Sequence, residues 1–479
     1  MLHREMLIDG HFIGGPCDQG TGKSVVKSPW DGSIVGTAAE GGWNDANAAL
    51  GAAHRAFETW RHAPRHVRQA LLRQIAATVR ERGEELAQLA VAEIGKPVVW
   101  ARGEVARLAV TFDVAAEVLE RWTGEWVPLE FDARGKDYSC RVERFPIGTV
   151  LGIVPYNWPF NLAAHKIAPA LATGNTIVVK PSQQALLCTL TLIRLIHEAG
   201  CPPGVVNAVN VPGKMAERMA LDPRVKMVSF TGSPDVGWHL KEVCHSKRVS
   251  LELGGDATVI LDADADLDAA VPKIVAGKFG YAGQICISVQ HVVAHEAIAE
   301  EAKQRLAEAT KACPAGDPGD EATVCGPMIS KEAADKVEAW AAEAVAMGAK
   351  ELVPLKRDGN LIYPTLLADV PAEAKLAHLE VFGPILTFAS VPDFSAAIAR
   401  VNASDYGIHC GVFTGERAHA DQAYRELEVG GVVINDTPTV RFDNMPYGGV
   451  KMSGFGREGV PYAMQEMTES KARLERRNP

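Results

Sequence analysis

The chain is predicted to be an α/β protein whose parallel sheets are covered by helices, and three observations carry that reading. Helical stretches with apolar residues three and four apart alternate with short β-branched runs. Those runs are rich in Val and Ile and separated by whole helices, which argues for parallel strands joined by right-handed crossovers. The chain is also large enough. At roughly 150 residues per domain, 479 residues with 47% hydrophobic and 23% charged side chains make two or three domains with ample core.

From Asn44 to about Ile94 the sequence is rich in Ala, Arg, Glu and Leu and reads as long surface helices. Leu129 to Glu143 is polar and β-prone and reads as an arm that leaves its own domain. Between Gly148 and Val211 the strands are TVLGIVP, NTIVVKP and GVVNAVN, with the helices AAHKIAPALATG and ALLCTLTLIRLIHEAG between them. KMVSFTG is the next strand, and its glycine opens another helix. After Gly255 a second α/β unit has the strands TVILD, HVVAH, PILTFAS and GVVIND.

Composition excludes several classes of function. The 49 Lys and Arg against 59 Asp and Glu leave a formal net charge of −10, which gives no counterion-release drive toward nucleic acid. No stretch of about 18 apolar residues and no signal-peptide core is present, so a cytoplasmic chain with no membrane partner is expected. The nine cysteines, Cys17 among them, are an odd number without a CxxC pair, which is neither a disulfide framework nor a zinc ribbon. The histidines are scattered, and no metal is expected.

Four local patterns can carry chemistry. In GYAGQICIS, glycines before Cys286 would give a thiol nucleophile access and nearby backbone donors; one more buried cysteine is the plainer reading. In RVSLELGGD, Glu252 ends an apolar strand. There it is either a carboxylate tuned to act as a general base or a strand-end residue facing solvent. In VPYNWPFN, Asn157 follows a strand, where its amide could donate to a developing oxyanion or simply make a turn. VVKPS puts Lys180 at the carboxyl end of a strand, and Gly232 to Gly237 runs from a strand through a turn into a helix whose amides would face a diphosphate.

Taken together, PYNWPFN, VVKPS, SFTGSPDVG, LELGGD, GQICIS, LEVFGP and MPYGGVKMSGFGREG resemble the aldehyde dehydrogenase superfamily along essentially the whole chain. The resemblance implies that Cys286 attacks an aldehyde, that the Asn157 amide and the Cys286 N–H hold the oxyanion, and that Glu252 activates the water that hydrolyses a thioester. It places Lys180 at the adenine ribose, Gly232, Ser233 and Gly237 at the diphosphate, and Ser182 among the cofactor-binding residues. Glu380 and Phe382 would meet the nicotinamide ribose. Gln183 stands where NAD-preferring members commonly carry Glu; a neutral amide does not repel a 2′-phosphate, so the cofactor is NAD or NADP with a lean to NAD.

NLAAHKIAPA and GQICIS look most like the branch containing lactaldehyde and non-phosphorylating glyceraldehyde-3-phosphate dehydrogenases. Arg107 and Arg441 would meet an anionic or hydroxylated small aldehyde, with Asn161 bonding a substrate hydroxyl; a structural salt bridge is the alternative for each arginine. Trp158, Tyr156, Phe160 and Phe442 would line an aldehyde tunnel, and packing residues with one edge exposed are the plainer reading for most of them. The implied architecture is a Rossmann-like doubly wound cofactor domain (1–121 and 142–254), an α/β catalytic domain (255–459) and a small β bridging arm (122–141 and 460–479). The arm would pair with a second copy in a homodimer or homotetramer. A coenzyme A-acylating enzyme is the alternative, against which Glu252 argues.

Overall fold

The computed structural model describes residues 2–15 and 22–476. Cys17, the first residue of the segment 1–121 and the last three of 460–479 lie outside the described residues. An eight-stranded sheet and a seven-stranded sheet carry the two main units. The parallel part of the first runs, in spatial order, Arg248–Glu252, Val225–Thr231, Thr149–Ile153, Thr176–Lys180 and Val206–Ala208. The hairpin Met6–Ile8 and His11–Ile13 closes one edge, and the two-residue strand Gly454–Phe455 pairs antiparallel on the other.

Alternation along these strands explains why both faces are covered. Val150, Ile177 and Val179 pack toward Pro159–Thr173 and Leu186–Glu198, whereas Leu151, Val178 and Val228 pack on the opposite face with Ala46 and Leu50 of Trp43–Trp60. Thr149–Ile153 is followed outward on one side by Thr176–Lys180 and Val206–Ala208; the chain then crosses to the other side for Val225–Thr231. Strand order therefore reverses between Ile153 and Thr231, the place where open α/β sheets bind ligands beyond their carboxyl ends.

The second sheet runs Lys350–Val353, Thr365–Ala368, Ile385–Val391, His291–His295, Thr258–Leu261, His409–Phe413 and Gly431–Ile434. Its first edge strand is antiparallel and the remaining pairs are parallel. The four expected strands of this unit are present, with His409–Phe413 inserted between two of them. The arm is a three-stranded antiparallel sheet. Tyr138–Pro146 is its middle strand, pairing with Glu125–Val127 on one side and Thr468–Arg476 on the other, from Thr468 opposite Pro146 to Arg476 opposite Tyr138. That middle strand continues past residue 141, and Gly454–Phe455 returns to the first sheet before residue 459. Among the described residues no helix is long and apolar enough to cross a membrane.

Candidate active site

Every residue of the helix Pro159–Thr173 is buried, because its sequence is apolar almost all round. Its N-terminus is held by Glu104, whose Oε1 accepts from Phe160 N at 2.9 Å and Asn161 N at 3.1 Å, with carboxylate charge at the positive end of the helix dipole. The other Glu104 oxygen is bonded to buried Lys96, whose ammonium lies 3.8 Å over the Trp158 ring. This clamp fixes the turn carrying Asn157. One of that residue's two amide protons is used, Nδ2 donating to Gln284 O at 3.0 Å, so the other is left for a second acceptor.

Cys286 lies in the loop between the helix Leu267–Phe279 and the strand His291–His295. Tyr281 and Ala282 precede it in left-handed backbone, at φ 51° and 54°, a conformation that costs roughly 1–3 kcal/mol per non-glycine residue unless the surroundings enforce it. Buried Gln284 enforces it. Its Nε2 donates to Tyr281 O at 3.3 Å and Pro327 O at 3.2 Å, while its Oε1 accepts from Ile329 N at 2.9 Å.

A cavity of about 460 Å³ is lined by Cys286, Asn157, Trp158, Arg107, Asn161 and Arg441. Tyr447 also lines it and places its Oη 2.9 Å from Cys286 Sγ. Burial pushes the Cys286 thiol up to about 12, while the Tyr447 hydrogen bond and Arg441 pull it down. The cavity brings together six of the residues singled out from sequence. Of the four expected tunnel aromatics only Trp158 lines it: Phe160 is wholly buried in the core, and Phe442 is 65% exposed. Tyr156 instead meets Phe382 edge-on, with ring centres 6.2 Å apart.

Glu252, at the end of Arg248–Glu252, is buried with neither carboxylate oxygen hydrogen-bonded. Burial and the nearby Glu458 carboxylate hold its pKa well above the usual range, opposed by Arg441, Lys166 and Arg457. Glu458 is the ionised partner of the two, since Lys166 Nζ donates to its Oε1 at 2.7 Å and brings its pKa below the usual value. Glu252 does not line the cavity, but it stands against the backbone next to Tyr447. At Gly448, whose φ is +150°, a Cβ would come within 2.8 Å of Glu252 Oε1.

The two arginines differ. Arg107 donates to Asp443 Oδ1 at 2.6 Å, the same oxygen that His165 Nε2 meets at 2.9 Å, so its charge is neutralised by the structural ion pair that was its alternative reading. Arg441 has a side chain only 5% exposed, and its Nε and Nη2 are buried with no hydrogen-bond partner. Asn161 spends an amide proton on Thr111 Oγ1 at 3.0 Å.

Lys180 and the turn from Gly232 to Gly237, both expected at a dinucleotide, lie at the reversal in strand order. Lys180 ends its strand beside Ile153, buried, and desolvation lowers its pKa. Gly232 leads into the helix Pro234–Val243, whose N-cap Ser233 makes no side-chain cap, leaving first-turn amides available to an anion. A Cβ at Gly237 would meet Leu253 Cδ2 at 2.4 Å, so the glycine packs directly on the Leu253 side chain. Glu380 accepts from Gly255 N at 3.0 Å, and burial raises its pKa to about 7. It shares a cavity of about 360 Å³ with Pro234 and Asp235 at the helix start. A helix N-terminus and a hydroxyl-accepting carboxylate facing one cavity are a donor and acceptor set that fits a nucleotide's phosphate and ribose. Ser182 Oγ accepts from Gln184 N at 3.2 Å, and Gln183 Nε2 donates to Asn210 Oδ1 at 2.7 Å and Val211 O at 3.4 Å.

Gln284, Tyr447, Glu458 and Lys166 were not singled out from sequence. Gln284 and Tyr447 do sit inside the motifs GQICIS and MPYGG, next to residues that were.

Residues 17–473 match the family model described as Aldehyde dehydrogenase family. The chain is 40% identical over 429 residues to the 3-sulfolactaldehyde dehydrogenase of Priestia megaterium, covering 89% of this chain and 90% of that protein. Its structure is similar to aldehyde dehydrogenase 21 from Physcomitrella patens in complex with the reaction product succinate, with a TM-score of 0.96, 37% identity and coverage of 99% and 98%. It is also similar to NADP-dependent glyceraldehyde-3-phosphate dehydrogenase from Bacillus halodurans complexed with NADP, with a TM-score of 0.96, 32% identity and full coverage of both chains.

Proposed function

The chain belongs to the aldehyde dehydrogenase family and oxidises aldehydes with NAD or NADP; from that premise we propose that its substrate is a small aldehyde bearing an anionic group, oxidised at Cys286 and held by Arg441. The observation that carries the substrate class is the buried Arg441 guanidinium, with two nitrogens that make no hydrogen bond, in the wall of the Cys286 cavity. Buried donors without partners cost free energy that an incoming carboxylate, sulfonate or phosphate would recover. A sulfonate, a succinate carboxylate and a phosphate appear in the names of the three relatives above.

In this reading the Cys286 thiolate adds to the carbonyl carbon, and the resulting oxyanion takes hydrogen bonds from the free Asn157 amide proton and the Cys286 N–H. The nicotinamide, when bound, supplies the hydride acceptor that turns the thiohemiacetal into a thioester. Lys180, Ser182, Gly232, Ser233, Gly237, Glu380 and Phe382 are the residues that would bind and orient it. Glu252 then takes a proton from water as the water attacks the thioester, and the acid leaves with the Cys286 thiol restored. Such a base is what a hydrolytic enzyme needs and a coenzyme A-acylating one does not.

Arg441→Met tests the substrate class. The ratio of kcat/KM for succinate semialdehyde to that for butanal is expected to fall about a hundredfold, from roughly 2–3 kcal/mol for hydrogen bonds to a charged group. An unchanged ratio would remove Arg441 from substrate binding.

NAD is the cofactor this reading favours. Both amide protons of Gln183 are directed at Asn210 and Val211, so that side chain offers no donor to a 2′-phosphate. Initial rates with each cofactor should give a higher kcat/KM for NAD, and the reverse order would overturn the preference.

The reading also divides the chain into a cofactor unit, a catalytic unit from residue 255 and an arm, in a cytoplasmic enzyme. The arm exposes Trp126 at 68% and Leu474 at 61%, and a second copy of the chain is the partner that would cover them.

A further inference from the structure

Three groups act on the Cys286 sulfur through their charge: Glu252 and Glu380 oppose a thiolate, and Arg441 favours it. Among the described residues, the hydrogen-bond partner of Sγ is Tyr447, with Oη at 2.9 Å. The Tyr447 ring is buried, with His409 edge-on at 5.2 Å between centres and the Arg441 guanidinium carbon 3.6 Å from its centroid. Arg441 is ion-paired with Glu458 but not hydrogen-bonded to it. Glu458 Oε2 is 3.7 Å from Nη2, beyond hydrogen-bond length, and the Glu458 charge is taken up by Lys166. A cation stacked on a phenol withdraws electron density from the ring and makes its O–H a stronger donor.

We propose that Tyr447 is a catalytic residue of this chain, its hydroxyl, polarised by the stacked Arg441, donating to Cys286 Sγ and holding the sulfur as the reactive thiolate. The inference rests on the reading of Cys286 as nucleophile. A thiol can give or take this hydrogen bond, but a thiolate only accepts, so a phenol at this distance stabilises the charged form selectively. Tyr447 keeps its own proton, because burial and the neighbouring thiol hold its pKa well above that of an ordinary phenol. The proton released from Sγ leaves to water in the cavity of about 460 Å³ that Cys286 lines.

Tyr447→Phe keeps the ring and the stacked arginine and deletes only the hydroxyl. The probe is alkylation of Cys286 by iodoacetamide in the full-length protein from pH 6 to 10, in which an S–C bond forms and iodide leaves, read at that cysteine by peptide mass. The profile is expected to move up by about one pH unit, with alkylation about tenfold slower on its acid side, which corresponds to about 1.4 kcal/mol. Arg441→Met should move it in the same direction, and the double variant should move it by less than the sum of the two, since Arg441 acts in part through the phenol. A neutral alkylating reagent makes this independent of Arg441 as a substrate anchor. An unmoved profile in Tyr447→Phe with wild-type circular dichroism and cofactor affinity overturns the proposal. Strict additivity overturns the part given to Arg441. Should Tyr447→Phe fail to fold, an unmoved profile in Arg441→Met overturns the proposal instead. Persistent turnover in Cys286→Ser would mean that the reading of Cys286 has failed, a result distinct from any of these.

Discussion

Cys286→Ala is expected to lower aldehyde oxidation by at least about 10⁴-fold while leaving the cofactor dissociation constant within about twofold of wild type. The magnitude follows from the loss of covalent catalysis, where removing a nucleophile costs as much as removing the whole group of residues that acts with it. Cofactor binding should survive because Glu380 and the start of the helix Pro234–Val243 line a different cavity. Glu380 is fastened to Gly255 N, and the amides of Pro234–Val243 are set by the packing of Gly237 on Leu253, none of which touches the sulfur. The variant leaves Tyr447 Oη without its partner, but the cavity there is large enough for water to take over that hydrogen bond. Steady-state rates and calorimetric titration with NAD check both halves. Turnover above a hundredth of wild type would mean that another group attacks the aldehyde, and cofactor binding lost along with activity would mean that the two cavities are not independent.

What was legible in the sequence and what was not follow from the range of the interactions involved. Strands such as Thr149–Ile153 and Thr176–Lys180 announce themselves because burial on both faces demands an unbroken Val and Ile run. His409–Phe413 is equally buried, but its His, Cys and Gly carry no such pattern. Its place is set by neighbours on either side, Thr258–Leu261 and Gly431–Ile434. The N-terminal strands Met6–Ile8 and His11–Ile13 are three residues long and lie below what periodicity can resolve. In the site, Cys286, Glu252 and Asn157 stand in motifs whose residue types already suggest chemistry. The roles of Arg107 and Arg441 were not separable in the same way. Asp443, two residues after Arg441, pairs with Arg107 from the far end of the chain, and no local pattern reveals which arginine a carboxylate will neutralise. Gln284 and Tyr447 were missed for the same reason. Each acts through contacts across the fold, to Pro327 and Ile329 in one case and to Cys286 in the other.

Glu252→Gln should separate the two halves of the reaction. The first half needs the thiol and the oxyanion donors, so a burst of reduced nicotinamide is expected to remain. The second needs a base, so steady-state turnover should fall roughly 10²- to 10⁴-fold, the usual range for general-base catalysis, and acyl-enzyme should accumulate. The pH dependence has a definite sign. Burial and Glu458 raise the folded-state pKa of Glu252, and the base is active only when deprotonated, so hydrolysis of the thioester should accelerate as pH rises through that pKa. In the Gln variant that rise should disappear.

Stability should move the other way. Between the ordinary carboxylate pKa and the raised one, the folded state binds more protons at this site than the unfolded chain does, so wild-type stability declines as pH rises through that window. Gln is uncharged and nearly isosteric, and it removes that decline, so the variant should match or exceed the wild-type melting temperature at neutral pH while losing activity. Rapid-mixing kinetics with mass detection of the acyl-enzyme, together with thermal melts across pH, measure both consequences. A variant that turns over normally would show that Glu252 is not the base. One that loses the burst as well would show that its carboxylate is already needed when Cys286 gives up its proton, placing Glu252 in both half-reactions.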